Sequence, residues 1–287
     1  MEFFLVSTNH LKDGLWFRDD EDFKVGMNYV AVLAHSTKVS VICFVLMSNH
    51  LHFVLGGTMQ EAVLFITRLK QMYGRYYQRR WGVKEFLRRN GVDIGKIQGG
   101  RDALERAMAY VQMNPVAANI CLEASGYPWG TGNSFFKMNP VRGRRVDTIS
   151  GREMSRILHS REKINGRYLL GDNGYILPES YVSVAFFERV MRSPNRYRHF
   201  LLTSSKAKVS LEKRNESLPS FTDQSVLHCA SDLCRTLFQT ESLKDLRDEQ
   251  LAEILKQLKR RLACDALQLS RALGIDYSRT AKYLDSY

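Results

Sequence analysis

The sequence predicts an α+β protein: a ferredoxin-like antiparallel sheet with helices on one face over about the first 140 residues, then an all-α C-terminal region. Three observations carry this prediction. Short β-branched or alternating runs are interleaved with longer stretches whose apolar residues recur at helical spacing. Their order along the first part of the chain reads β-α-β-β-α-β-α. From Asp223 the helical pattern continues almost to the C-terminus.

Phe3-Phe4-Leu5-Val6-Ser7 reads as the first strand. Asp19 to Asp22 supplies acceptors and favourable charge for a helix N-terminus, and Phe23, Met27, Val30 and Ala34 extend that helix to about His35. Val39 to Met47 is almost continuously apolar and rich in β-branched residues, as a strand covered on both faces requires. Ser48-Asn49 allows a turn, and His50 to Leu55 alternates like a strand pairing back on its predecessor, ending at Gly56-Gly57. A long amphipathic helix follows, with Phe65, Leu69, Met72, Tyr73 and Tyr76 on its apolar face. Lys96-Ile97-Gln98 reads as a short strand, and Arg101 to Met113 as a helix stopped or kinked at Pro115.

Residues 141–220 read as a mostly helical connector. It contains a loop around Gly166, Gly171 and Gly174, and an exposed Ser- and Lys-rich stretch from Thr203 to Ser220. Residues 221–287 are a helical region with a candidate helix-turn-helix. There Leu269, Leu273, Ile275 and Leu284 form the core, Gly274 the turn and Ser278 to Lys282 a groove-facing helix. A plain helical hairpin fits the same residues.

No apolar run reaches the roughly 18–20 residues of a membrane span, and no leader-like pattern opens the chain, so a cytoplasmic protein without a membrane partner is expected. The five cysteines are scattered without CxxC spacing and are expected to be buried and reduced. The net charge of +12 favours a polyanionic partner. Its distribution is more informative: ten basic residues and two acids lie between Ile66 and Arg101. Arg68, Arg75, Arg79, Arg80, Arg88 and Arg89 are therefore expected to contact DNA phosphates. The tyrosines at core spacing, Tyr73 and Tyr76, are expected inside.

His50 and His52 sit two apart on a predicted strand, so both imidazoles face one side and can converge on a cation, while Leu51 and Phe53 face the core. A surface His-x-His on an ordinary hairpin is the alternative that these residues alone leave open.

The segment Met47-Ser48-Asn49-His50-Leu51-His52-Phe53-Val54-Leu55 resembles the histidine–hydrophobe–histidine strand of the HUH superfamily. Within it, the likeness is to single-tyrosine transposases of the REP-associated branch, which commonly carry Met-Pro-Asn-His-Val-His here. Ser48 replaces the proline and Leu51 the valine. About sixty residues downstream, Ala109 to Ala118 resembles the family's Tyr-x-x-x-Asn-Pro-Val stretch. Tyr127-Pro128-Trp129 is similar to its Tyr-Pro-Trp-Ser-Ser, from which Gly130-Thr131 departs.

The resemblance covers about residues 1–140 and implies a DNA transposase-type enzyme that cleaves and rejoins single-stranded DNA near a hairpin. It makes Tyr110 the nucleophile, forming a 5′-phosphotyrosine intermediate, and His50 and His52 the ligands of Mg²⁺ or Mn²⁺. Asn114 is either a third ligand or, if Pro115 opens a new helix, an N-cap. The alternatives are a catalytically silent or domesticated DNA-binding regulator and an RNA-binding platform. A monomer is favoured over a homodimer.

Overall fold

The computed structural model describes residues 1–11, 14–88, 90–118, 120–198, 201, 223–262, 264 and 266–285. Arg89 and the Thr203–Ser220 loop, both singled out in the sequence, lie outside the described residues.

The first unit follows the predicted order: β1 (Glu2–Thr8), α1 (Asp20–Ser36), β2 (Ser40–Leu46), β3 (Leu51–Gly57), α2 (Met59–Trp81), β4 (Val92–Lys96) and α3 (Gly100–Ala117). The sheet order is β2-β3-β1-β4, antiparallel throughout, which is the ferredoxin-like arrangement. Its helices start where local chemistry directs. The Asp19 side chain accepts the Asp22 amide at the head of α1, and Thr58 and Glu61 form a reciprocal capping box at the head of α2. Gly82, in the left-handed region, ends α2.

Two helices and a third cover opposite faces of the sheet. Phe53 of β3 meets Phe65 of α2, their ring centroids 5.5 Å apart. Its neighbour His52 therefore points the other way, where its ring lies 5.5 Å from that of Tyr110 on α3. α1 and α2 form the layer beneath the sheet, and α3 crosses above β2 and β3.

Three details differ from the sequence reading. β4 lies at Val92–Lys96 and not at 96–98; it is an edge strand pairing only with β1, and its Asp93 and Gly95 gave it no recognisable strand pattern. α3 does not stop at Pro115 but continues to Ala117. Between 150 and 192 only α4 (Gly151–Ile157) and α5 (Val184–Met191) are α-helical. The chain between them is largely irregular and includes β6 (Leu169–Leu170), which pairs with β5 (Arg144–Arg145).

The first core does not end near residue 140. Met154, Leu158, Ile176, Phe187 and Met191 are buried in the same cluster as the sheet. Asn28 of α1 ties the two parts together: its side chain donates to the Ile157 carbonyl and accepts the Ile176 amide.

A second core is built from α6 (Asp223–Phe238), α7 (Asp248–Leu262), α8 (Ala266–Leu273) and α9 (Tyr277–Asp285), around Leu233, Ile254, Leu255, Leu258 and Leu269. It also takes in Leu15, from the loop between β1 and α1. Gly274, in the left-handed region, makes the α8–α9 turn.

Candidate functional site

The β2–β3 hairpin turns tightly through Ser48-Asn49, closed by the Met47 amide donating to the His50 carbonyl at 2.9 Å. The chain leaving β1 wraps this tip. Trp16 and Phe17 amides donate to the Ser48 carbonyl, and Asn49 both receives the Leu11 amide and donates its Nδ2 to the Leu11 carbonyl. The Leu51 amide donates to Thr8 Oγ1. The wrapping follows from the topology: β1 ends beside the start of β3, where Ser7 is paired with His52.

That arrangement assembles a histidine cluster. His52 lies in β3 and His50 just before it, with ring centroids 4.8 Å apart. His10, carried in by the wrapping loop, packs its ring 3.9 Å from that of His50. The ligand atoms of His10, His50 and His52 all lie within 4.8 Å of one another. A cation about 2.1 Å from each imidazole nitrogen spaces its ligands at up to about 4.2 Å, so small side-chain movements suffice to close the set. His50 and His52 are buried, whereas His10 is exposed and leaves the cluster open on one side.

The His50 Nδ1 lies 2.7 Å from Asn49 Oδ1. An amide oxygen only accepts, so this bond holds the proton on Nδ1 and leaves Nε2 unprotonated, its lone pair suited to a cation. His10 was not singled out in the sequence, and Asn49 was named there only as part of the turn and of the histidine motif. Asn49 is a supporting residue hidden in the turn, while the signal for His10 was its place at the end of β1, which a ferredoxin-like order sets against the start of β3.

Tyr110 is half-buried on α3, its ring edge-on to His52. Tyr73, Tyr76 and Tyr77 are instead buried on the inner face of α2. Their hydroxyls are engaged by the Trp16 carbonyl, Asp22 and Arg18 respectively, and burial raises the pKa of each.

One turn after Tyr110, Asn114 Nδ2 donates to the Tyr110 carbonyl at 2.9 Å and lies 3.4 Å from the Val111 carbonyl. Val111 is the residue whose helical partner is Pro115, which has no N–H to give. Because α3 runs through Pro115, Asn114 is not an N-cap. It stands inside the helix and supports the proline-interrupted turn.

The Tyr127-Pro128-Trp129 motif closes the outer edge of β2. The Leu46 amide donates to the Trp129 carbonyl, the Tyr127 hydroxyl donates to the Leu46 carbonyl, and Gly130 pairs with Val45. Thr131, where the sequence departs from the family pattern, is buried, and its Oγ1 accepts from the Phe44 amide and Gln112 Nε2.

The predicted DNA-contacting arginines divide. Arg75 and Arg79 are exposed on α2. Arg68 forms a two-pronged pair with Glu162, and Arg88 pairs with Glu85 at the surface. Arg80 turns inward, bridging Asp19 at 2.5 Å and Asp22 at 2.6 Å. Asp22 is pushed up to about 6 by burial and the neighbouring Asp19 charge, against the opposing pull of Arg80.

No helix among the described residues is long and apolar enough to cross a membrane. No family model matches the sequence, and no curated protein matches it. A solved structure of a REP-associated tyrosine transposase bound to a REP hairpin is similar over 57% of this chain and 86% of that chain, at 12% sequence identity and a TM-score of 0.36.

Proposed function

We propose that this protein is a single-tyrosine DNA strand transferase of the transposase type, with Tyr110 as nucleophile and His50, His52 and His10 as holders of a divalent cation. The observation that carries the reading is the Tyr110 ring beside the His52 ring, with two further imidazoles within ligand distance. A cation bound there supplies Lewis-acid charge to a phosphodiester. Nitrogen donors suit a transition-metal dication better than Mg²⁺, which favours Mn²⁺ of the two metals that the sequence resemblance implies.

The chain's own groups do the rest. His10, His50 and His52 would hold that cation on the side of β3 that Tyr110 faces. The phenolic oxygen forms a bond to phosphorus, its proton passes to solvent, and the 3′-oxygen leaves and takes up a proton. The 5′-phosphate remains on Tyr110. The phosphotyrosine ester retains the energy of the bond it replaced, so a free 3′-hydroxyl reverses the step and rejoins a strand without a nucleotide cofactor. The exposed arginines of α2 hold the polyanion by counterion release.

The test is to incubate the full chain with a 3′-labelled, hairpin-flanked single strand and Mn²⁺, and to resolve adducts on denaturing gels. A cleavage product with the DNA joined to protein is expected, and Tyr110→Phe should lower its yield at least a thousandfold while leaving strand affinity within twofold. An undiminished adduct in that variant would move the nucleophile elsewhere. Strand binding without any adduct in the unaltered chain would favour the silent regulator.

A further inference from the structure

A second basic feature lies in the helical layer, away from the histidines. The last turn of α2, the first turn of α1 and the segment leaving α4 enclose an open cleft of about 780 Å³. Arg79, Arg80, Arg156 and Arg161 line it together with Ser155 and His159. Glu21 is the one carboxylate in the lining, and it faces His159 Nε2 at 3.4 Å.

Arg80 is neutralised by Asp19 and Asp22. Arg79, Arg156 and Arg161 are exposed, and among the described residues no carboxylate lies within ion-pair distance of them. Three uncompensated guanidiniums around one concavity raise the local potential far more than the same charges scattered over a surface. The cleft wall is also fixed. His159 holds a left-handed backbone conformation at φ 47°, pinned by its amide to Arg156 and by the Tyr29 hydroxyl donating to its carbonyl at 3.2 Å. A non-glycine residue held there costs on the order of 1 kcal/mol or more, and such strain concentrates at binding sites.

Two geometric facts give the cleft a partner. Arg75 and Arg79 lie one turn apart on the same face of α2 and are exposed, so a basic edge leads along the helix into the cleft, while Arg68 on that face is paired with Glu162. The cleft also stands at the same end of the sheet as the histidines. α1 begins and α2 ends there, where β1 exits toward His10 and β3 starts after His50.

We propose that this cleft is a phosphodiester-binding site for single-stranded DNA, gripping about three backbone phosphates of a strand whose scissile group lies at the histidine–tyrosine cluster. The identity of the strand rests on the strand-transferase reading; the anion site itself does not. Arginine forks and the Ser155 hydroxyl match phosphate oxygens.

The experiment measures the affinity of a fluorescent single-stranded DNA by anisotropy, without metal and in the Tyr110→Phe background, so that a failure of the cleavage chemistry leaves the readout intact. The variant Arg79→Gln/Arg156→Gln/Arg161→Gln is compared with Arg144→Gln/Arg152→Gln/Arg167→Gln, which removes the same charge from exposed positions outside the cleft. The cleft variant should bind about a hundredfold more weakly at about 0.1 M salt, with the slope of log affinity against log salt shallower by about 2, as three lost single-strand phosphate contacts require. Both triple variants should keep the thermal midpoint and the metal affinity of the parent. Equal losses in the two would reduce the cleft to bulk charge and overturn the proposal. So would an RNA of the same sequence that binds more tightly than DNA through the same three arginines.

Discussion

Asn49 shows how much of the site depends on a side chain that touches no reacting group. By accepting from His50 Nδ1 at 2.7 Å it sets which nitrogen faces the cluster. Asn49→Ala should weaken Mn²⁺ binding by about tenfold to a hundredfold in titration calorimetry, with the hairpin intact by circular dichroism. An unchanged affinity would mean that His50 is oriented by the fold alone.

Asp22 offers a second test, on stability. Its folded-state pKa of about 6 lies above the ordinary 3.8, so the native protein binds the proton more tightly than the unfolded chain does. Stability from this group is therefore greatest below about pH 4 and falls as pH rises through the window to about 6. Asp22→Asn should flatten that part of the profile by at most about 3 kcal/mol, read as the difference between variant and parent in urea unfolding at two pH values.

At this scale the sequence was partly legible. His50, His52 and Tyr110 stood in recognisable strings, whereas His10 had no neighbouring pattern and acquired meaning only from strand pairing. Arg80 was counted with the patch because charge runs do not reveal which guanidinium meets a buried carboxylate.

The elements were legible where pattern and burial coincide. β2 and β3 are buried on both faces and α1 carries a clear N-cap, so these three were found close to their bounds, and α2 was found as a long amphipathic helix after Gly57. β4 was displaced because an exposed edge strand needs little apolar alternation. α3 outran its proline because Asn114 supports the turn that Pro115 interrupts.

The segment beside β2 sets a strict local demand. A Cβ on Gly130 would lie 2.7 Å from the Phe44 carbonyl oxygen and 3.1 Å from the Val45 Cα. Both are backbone atoms of the strand next to His52, and neither can yield cheaply. Gly130→Ala should cost about 1–3 kcal/mol and lower the thermal midpoint by several degrees. Metal affinity should fall with it, since the displaced strand pairs directly with β3. A midpoint unchanged within one degree would show that the 127–131 segment lifts off β2 freely.

For the whole molecule, the composition change near residue 140 suggested a boundary that packing does not respect. Ending the chain at Asn139 removes Ile176, Phe187 and Met191 from the first core. Each such loss costs about 2–5 kcal/mol, against a total stability of about 5–15 kcal/mol. That fragment should lack near-ultraviolet dichroism and aggregate. A soluble, cooperatively folded product would show that the connector is dispensable. The sequence concealed this because the connector's core residues are spaced irregularly through loops, without helical or strand period.

The loop that wraps the hairpin tip belongs to both cores at once. Leu15 is buried among the C-terminal helices and Trp16, its neighbour, among the sheet residues, while Arg18 faces Asp232 of α6 at 3.5 Å. Neither core can melt without pulling on a segment that the other holds. Heating should accordingly give a single calorimetric peak whose measured enthalpy equals the van't Hoff value. Since His10 lies on that same loop, a cation bound at the histidines should raise the melting of the distant C-terminal helices by the same amount as that of the sheet, carrying the mass-action stabilisation of one end of the chain to the other.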